Sequence, residues 1–273
     1  MARAVIQGED GSNSAVAAQQ VLGADVALVC CASFAEAFAA LERGEAPVAV
    51  LPFENSTAGL VPDVIDRLLT DATLCVTGQT RVSIRFVAAV RPEATRIEQV
   101  LAHPMAAAQC RRFLGQTGWR VASAHDTAGA ARLVHESSDL SLAALCPPWA
   151  AARYGLKVVF EDCGDDSRAV TRFLCVASGP AMVEATHSRA LLSALPGPRT
   201  QPAQMLAVFA ACAVELRAVH TRVEPGSPGL QRYLFELAVG AADPGFVRLL
   251  SALKELEAAP RLIGSFTAEA ARG

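Results

Sequence analysis

The sequence has no excess of either charge, no paired cysteine motif and no long apolar run. Lys plus Arg is 24 against 27 for Asp plus Glu, a net charge of −3. A nucleic-acid or anionic-membrane surface needs a positive excess, so neither partner is expected. Cysteine occurs 8 times but never as C-x-x-C, which excludes the usual zinc-ribbon and thiol-redox arrangements. Cys30 and Cys31 are adjacent, and most of the others sit in apolar runs such as Leu74-Cys75-Val76 and Leu174-Cys175-Val176, where cysteine acts as a small core hydrophobe. The longest uncharged stretches, such as Leu140 to Ala152 with its Pro147-Pro148, fall short of the roughly 18 residues that span a bilayer. The opening Met1 to Asp10 turns acidic before any apolar segment, so no signal peptide is expected. G-x-S-x-G, P-loop, H-E-x-x-H and helix-opening G-x-G-x-x-G motifs are absent, and His103, His125, His135, His187 and His220 have no metal-ligand spacing. A cytoplasmic protein with no metal and no cofactor is the expectation.

What is present is enough for two domains: 273 residues, 52% hydrophobic and 19% charged. The first part alternates short strands with amphipathic helices, the pattern of α/β layers. Ala4-Val5-Ile6 reads as a strand ending in Gly8-Glu9-Asp10-Gly11, with Ser12 and Ser14 available to cap a helix through Gln20. A second strand is expected over Val26–Cys31, and Ser33 to Glu36 is a capping-box pattern for a helix to about Arg43. Pro47 to Phe53 is a continuous apolar run, as in a parallel strand covered on both faces, and it empties into Glu54-Asn55-Ser56-Thr57-Ala58-Gly59. Arg81 to Val87 alternates as a strand with Arg81, Ser83 and Arg85 on one face. A helix over about Pro104–Leu114, a strand at Trp119–Ala122, a helix capped near Asp126-Thr127, a strand at Leu142–Leu145 and a helix to Tyr154 follow. Thr171 to Val176 is the last strand, and Ser178-Gly179-Pro180 the linker. Beyond Arg189 the pattern spells βαββαβ, a ferredoxin-like unit.

The chemistry must therefore come from small polar groups at strand ends: Ser12 and Ser14, Glu54 to Thr57, and Thr171-Arg172. Singly, each would serve as a turn or helix cap. Together they follow apolar strands and converge on one cleft, where hydroxyls, an amide and an arginine suit a small carboxylate-bearing ligand.

These residues resemble a family. Leu51-Pro52-Phe53-Glu54-Asn55-Ser56-Thr57-Ala58-Gly59 resembles the V-P-I-E-N-S-x-x-G segment of prephenate dehydratases, and Val170-Thr171-Arg172-Phe173 their T-R-F segment. Gly8 to Ser14 is similar to G-P-E-G-T-F-S, and Ala102-His103-Pro104-Met105-Ala106 to S-H-P-Q-A. The tail is similar to the ACT regulatory domain of bacterial members. The resemblance implies a catalytic region over 1–178, with two lobes like a type-2 periplasmic binding protein (about 1–77 plus 159–178, and about 78–158), then an ACT-like domain over 187–268. It implies cofactor-free conversion of prephenate to phenylpyruvate, a small-molecule substrate, and a homodimer or homotetramer assembled through the tail. Thr171 would be the donor to the leaving hydroxyl, and Arg172 would face a substrate carboxylate or hold the cleft together. Ser12, Ser14, Glu54, Asn55, Ser56, Thr57 and His103 would bind substrate.

The sequence also departs from the pattern. Ser12-Asn13 stands for T-F, Leu60 for a serine, Met105 for the glutamine of S-H-P-Q, and Arg168-Ala169 where an asparagine is usual. Two alternatives follow: a prephenate decarboxylase or an enzyme acting on a modified prephenate, and a catalytically dead protein that binds or senses a small carboxylate. In the tail, Thr200-Gln201-Pro202 replaces G-A-L and His220-Thr221-Arg222-Val223 replaces E-S-R-P, keeping only the arginine. Weakened phenylalanine feedback is expected from that loss.

Overall fold

The computed structural model describes residues 2–267. Residue 1 of the expected catalytic region and residue 268 of the expected tail lie outside the described residues. The chain runs β1 (Arg3–Gln7), α1 (Asn13–Leu22), β2 (Ala27–Cys31), α2 (Phe34–Glu42), β3 (Val48–Asn55), β4 (Gly59–Leu60), α3 (Pro62–Thr70), β5 (Leu74–Ser83) and β6 (Val87–Val90). It continues through β7 (Gln99–Ala102), α4 (Pro104–Gln109), α5 (Arg111–Thr117), β8 (Arg120–Ser123), α6 (Thr127–Glu136), β9 (Leu142–Cys146), α7 (Pro148–Arg153), β10 (Lys157–Phe160) and β11 (Val170–Ser178). The final six are β12 (Arg189–Ala194), α8 (Pro202–Ala211), β13 (Leu216–Val223), β14 (Gln231–Leu237), α9 (Pro244–Glu255) and β15 (Arg261–Phe266), the βαββαβ order expected. Packing divides the chain into one unit of residues up to Val61 with Thr80–Phe173, and another of Pro62–Gln79 with the chain from Leu174 onward.

The first unit is built on two sheets. In one, the order is β11-β3-β1-β2, with β1 parallel to both neighbours and β4 folded back antiparallel on β3. The apolar run of β3 behaves as a strand covered on both faces should: Ala49, Val50, Leu51 and Phe53 are all fully buried. The other sheet has the order β10-β6-β9-β7-β8, with β7 parallel to β8 and β9, and β6 antiparallel to β9 and β10. Helix starts carry the caps that the sequence proposes. Ser12 Oγ accepts from Ala15 N, Ser33 Oγ from Glu36 N, and Asp126 Oδ1 from Gly129 N. The Glu36 carboxylate returns its bond to Ala32 N rather than to Ser33 N, so the box closes one residue early.

Two elements differ from expectation. The Arg81–Val87 strand stops at Ser83, because Ile84 N donates instead to Ala169 O (2.7 Å) and Phe86 O accepts from Cys163 N (2.9 Å). Its alternation persists across the break, with Val82, Ile84 and Phe86 buried and Arg81, Ser83 and Arg85 exposed. The helix at Pro104–Leu114 is two helices, parted at Cys110 (φ −126°, ψ 27°), where the Asp165 carboxylate accepts from the amides of Arg111 and Arg112. Helix α3, β4, the Leu74–Thr80 part of β5, β6 beyond Val87, β7 and β10 lie outside the elements that the sequence predicts.

In the second unit, β13-β14-β12-β15 pair antiparallel, and α8 and α9 cover one face through Phe209, Phe246, Leu249 and Leu253 against Leu192 and Phe235. β15 also pairs in parallel with β5 at Gly264 and Val76. A Cβ at 264 would lie 2.2 Å from Val76 O, so this backbone approach requires glycine. Helix α3 belongs to this unit. Arg222 forks onto Asp66 (2.5 and 2.6 Å), and Arg261 donates to the carbonyls of Leu68, Leu69 and Asp71 where α3 ends. Among the described residues no helix is long and apolar enough to cross a membrane.

Candidate active site

In the first unit, the carboxyl ends of β1 and β3 and the start of β11 open on one cavity of about 180 Å³. Its walls are Gln7, Gly8, Ser12, Asn13, Ser14, Pro52, Asp126, Thr127, Thr171 and Phe173. Strand alternation selects which residues of β11 reach it: Thr171 and Phe173 share a face, and Arg172 lies on the other. Ser12, Ser14 and Thr171 are each 6–7% exposed, so their hydroxyls are set in the wall rather than on the surface.

Thr171 is oriented by Asn55, the last residue of β3. Asn55 Oδ1 accepts from the amides of Thr57 and Ala58, both at 2.9 Å, which closes a side-chain turn and fixes the amide's orientation. Its Nδ2 then donates to Thr171 Oγ1 at 2.8 Å. Since the threonine oxygen accepts this bond, its own proton is free to be donated, and no described residue takes it. Ser56 secures the neighbour: its amide donates to Val170 O (2.9 Å) and its Oγ accepts from Val170 N (3.0 Å). Gln109 Nε2 adds a long 3.5 Å contact to Asn55 Oδ1.

Two helix N-termini also face the cavity. Helix α1 begins with Ser12, Asn13 and Ser14 and has no acidic residue in its first turn. The amides of Asn13 and Ser14 donate to no acceptor among the described residues, and with the helix dipole they make a seat for an anion. Helix α6 begins at Asp126-Thr127, but the Asp126 carboxylate that caps it offsets its positive end. The neutral cap makes the α1 end the stronger of the two.

The remaining sequence candidates lie elsewhere. Arg172 donates to Glu54 Oε2 at 2.9 Å, and its guanidinium sits 4.8 Å over the Phe53 ring. Its side chain is 11% exposed against 40% for Glu54, so the pair closes the side of β11 away from the cavity. Thr57 lines a separate cavity of about 120 Å³ with Gln109, Asp165 and Asp166. His103 caps α4, its Nδ1 accepting from Met105 N at 3.2 Å, and burial pushes its pKa down. Among the described residues no group of His, Cys, Asp and Glu is placed to hold a metal ion. The sequence analysis takes Asp126 and Thr127 only as a helix cap, and Phe173 only as part of the T-R-F segment and not as a site residue. The period of two that puts Phe173 beside Thr171 was the available signal.

The family model described as prephenate dehydratase matches residues 4–181. A prephenate dehydratase of Amycolatopsis methanolica is 31% identical, over 97% of this chain and 88% of its own. Arogenate dehydratase 2 of Petunia hybrida is 31% identical, over 98% and 72%. The crystal structure of prephenate dehydratase from Arthrobacter aurescens in complex with L-Phe superposes with a TM-score of 0.86 at 29% identity, covering 97% of this chain and 90% of that one. The chain belongs to the prephenate dehydratase family.

Proposed function

We propose that the protein is a carbon–oxygen lyase that converts prephenate to phenylpyruvate, carbon dioxide and water. The observation that carries this reading is the Thr171 hydroxyl, buried in the cavity wall with Asn55 donating to its oxygen and its proton unengaged. In the reaction the bond from the ring to its carboxylate breaks, and the electron pair moves into the ring as carbon dioxide leaves. The C–O bond of the ring hydroxyl breaks in turn, and one proton is consumed to form water. Aromatisation supplies the driving force, so the protein need only hold a dianion and stabilise the departing oxygen. Thr171 donates a hydrogen bond to that oxygen; the proton consumed comes from solvent, because a threonine of ordinary pKa does not give up its own. The amides of Asn13 and Ser14 with the Ser14 hydroxyl receive a carboxylate. Asn55 orients Thr171, Ser56 fixes the start of β11, and the Arg172–Glu54 pair holds that strand.

The test is incubation of the purified protein with prephenate at neutral pH, reading phenylpyruvate by its alkaline absorbance and all products by mass. Phenylpyruvate far above the slow background is the expected result. A decarboxylated product that keeps its hydroxyl, or no product, would overturn it. Arogenate, with an ammonium in place of the keto oxygen, is a specific second substrate, since the Asp126 carboxylate lies in the cavity wall. Parallel kcat/KM values for the two decide between them.

The same proposal assigns residues 1–178 to catalysis and 187–268 to an ACT-like assembly domain that pairs subunits. Phenylalanine feedback is weakened, because Arg222, the one retained residue of its motif, is held by Asp66. The location is cytoplasmic, in keeping with eight free cysteines of which seven are buried.

A further inference from the structure

The turn between β1 and α1 carries the anion seat, yet its backbone has little to hold it. Gly8 (φ 104°) and Gly11 (φ 88°) both lie in the region that favours glycine, which is the residue most free in the unfolded chain. Inside the turn, Ser12 N donates to Glu9 O, and Gly8 N donates to Cys31 O. The other restraints come from helices more than a hundred residues away. Glu9 receives Arg132 Nε at 2.8 Å and Nη2 at 3.0 Å, a two-pronged contact with α6, and Tyr154 Oη after α7 at 3.3 Å. Arg132 is itself held from behind by Glu136 (2.9 Å). Asp10 pairs with Arg153 (2.9 Å), and Gly11 abuts Ala150, whose Cα would lie 3.4 Å from any added Cβ.

We propose, on the reading of the site given above, that Glu9 is a positioning residue: through Arg132 and Tyr154 it sets the N-terminus of α1 against that of α6, and so fixes the anion seat. An isolated exposed ion pair would contribute little. This one is forked, about one-third exposed on each side, and joins the two helices whose first turns line the cavity. Glu9 touches no reacting atom in this assignment. Its effect is on where the Asn13 and Ser14 amides stand when substrate arrives. A displacement of about 1 Å at a site of this kind can cost up to about a hundredfold in rate or binding.

The test uses the full chain with Glu9→Gln, Glu9→Asp, Arg132→Gln and the double variant Glu9→Gln/Arg132→Gln. For prephenate, Glu9→Gln and Arg132→Gln should each raise KM about tenfold with kcat within about threefold. The double variant should be no worse than either single, as expected for two halves of one contact. Glu9→Asp should recover part of the loss. In the same variants hydrogen exchange should quicken over residues 8–16, with melting temperatures near that of the parent. A purely structural role would lower kcat and KM performance together with the melting temperature, and KM unchanged or additive effects would overturn the proposal. If the parent protein does not turn over prephenate, the functional reading fails. The exchange measurement then still decides whether Glu9 holds the turn: unchanged exchange over 8–16 sinks it.

Discussion

Thr171 and Arg172 are neighbours on one strand and lie on opposite sides of it. On one side a buried hydroxyl accepts from Asn55 and keeps its proton for a ligand. On the other a guanidinium is bonded to Glu54 and lies over Phe53. Residue type alone would favour the arginine as the group that meets an anionic substrate, since charge is the stronger lure. Its engagement reverses that order. What a polar side chain can offer a ligand is what its protein partners leave over, and here the neutral threonine has a donor to give.

That contrast is broken most sharply at Thr171. Thr171→Ala should lower kcat by about two to three powers of ten, the span for losing one positioned hydrogen-bond donor, with the melting temperature nearly unchanged. Thr171→Ser, which restores the hydroxyl, should recover most of it. Full activity in Thr171→Ala would remove the hydroxyl from the chemistry.

A smaller loss is expected at the residue that aims it. Asn55→Asp keeps an oxygen for the amides of Thr57 and Ala58 but has no donor for Thr171. Turnover should fall about 10- to 100-fold through misorientation, with the turn retained. Rates equal to the parent would show that Thr171 needs no orientation.

On the opposite side of the strand the expected signature is inverted. Arg172→Ala removes a hydrogen bond between charged groups and a cation over a ring, about 2–3 kcal/mol together, and leaves Glu54 without that partner. The melting temperature should drop by several degrees, while kcat stays within about threefold. A large rise in KM without loss of stability would restore Arg172 to substrate binding.

Much of the fold was legible because its signals are local. Three helix caps, Ser12, Ser33 and Asp126, are written in single residues, and the β3 run is apolar at every core position. The βαββαβ order also follows from periodicity alone. Helix α3 was missed although its signal is local: Val64, Ile65, Leu68 and Leu69 recur at helical spacing behind Pro62 in the first turn. At the site, the residues of β11 and those from the end of β3 to Thr57 were legible as candidates, but their division into cavity and support was not. Which side of a strand faces a cavity depends on partners such as Glu54 and Phe53, and spacing does not record who has already claimed a charge. Glu9 was hidden for the same reason, since its partner is Arg132.

The smallest expected effect concerns His103, a candidate substrate ligand that the structure engages as a helix cap. The neutral ring accepts from Met105 N through Nδ1; a protonated ring would have a hydrogen there and a positive charge at the start of α4. Burial lowers its folded pKa below the ordinary value of about 6.5, outweighing the opposing pull of Asp126. The unfolded chain therefore binds the proton more readily. The stabilisation is present above the unfolded pKa and is lost as pH falls through the folded value. His103→Asn keeps a capping oxygen but does not titrate. Its stability relative to the parent should improve as the pH falls from 7.5 to 5, with KM little changed. Parallel stability curves together with a KM raised tenfold would instead make His103 a substrate contact.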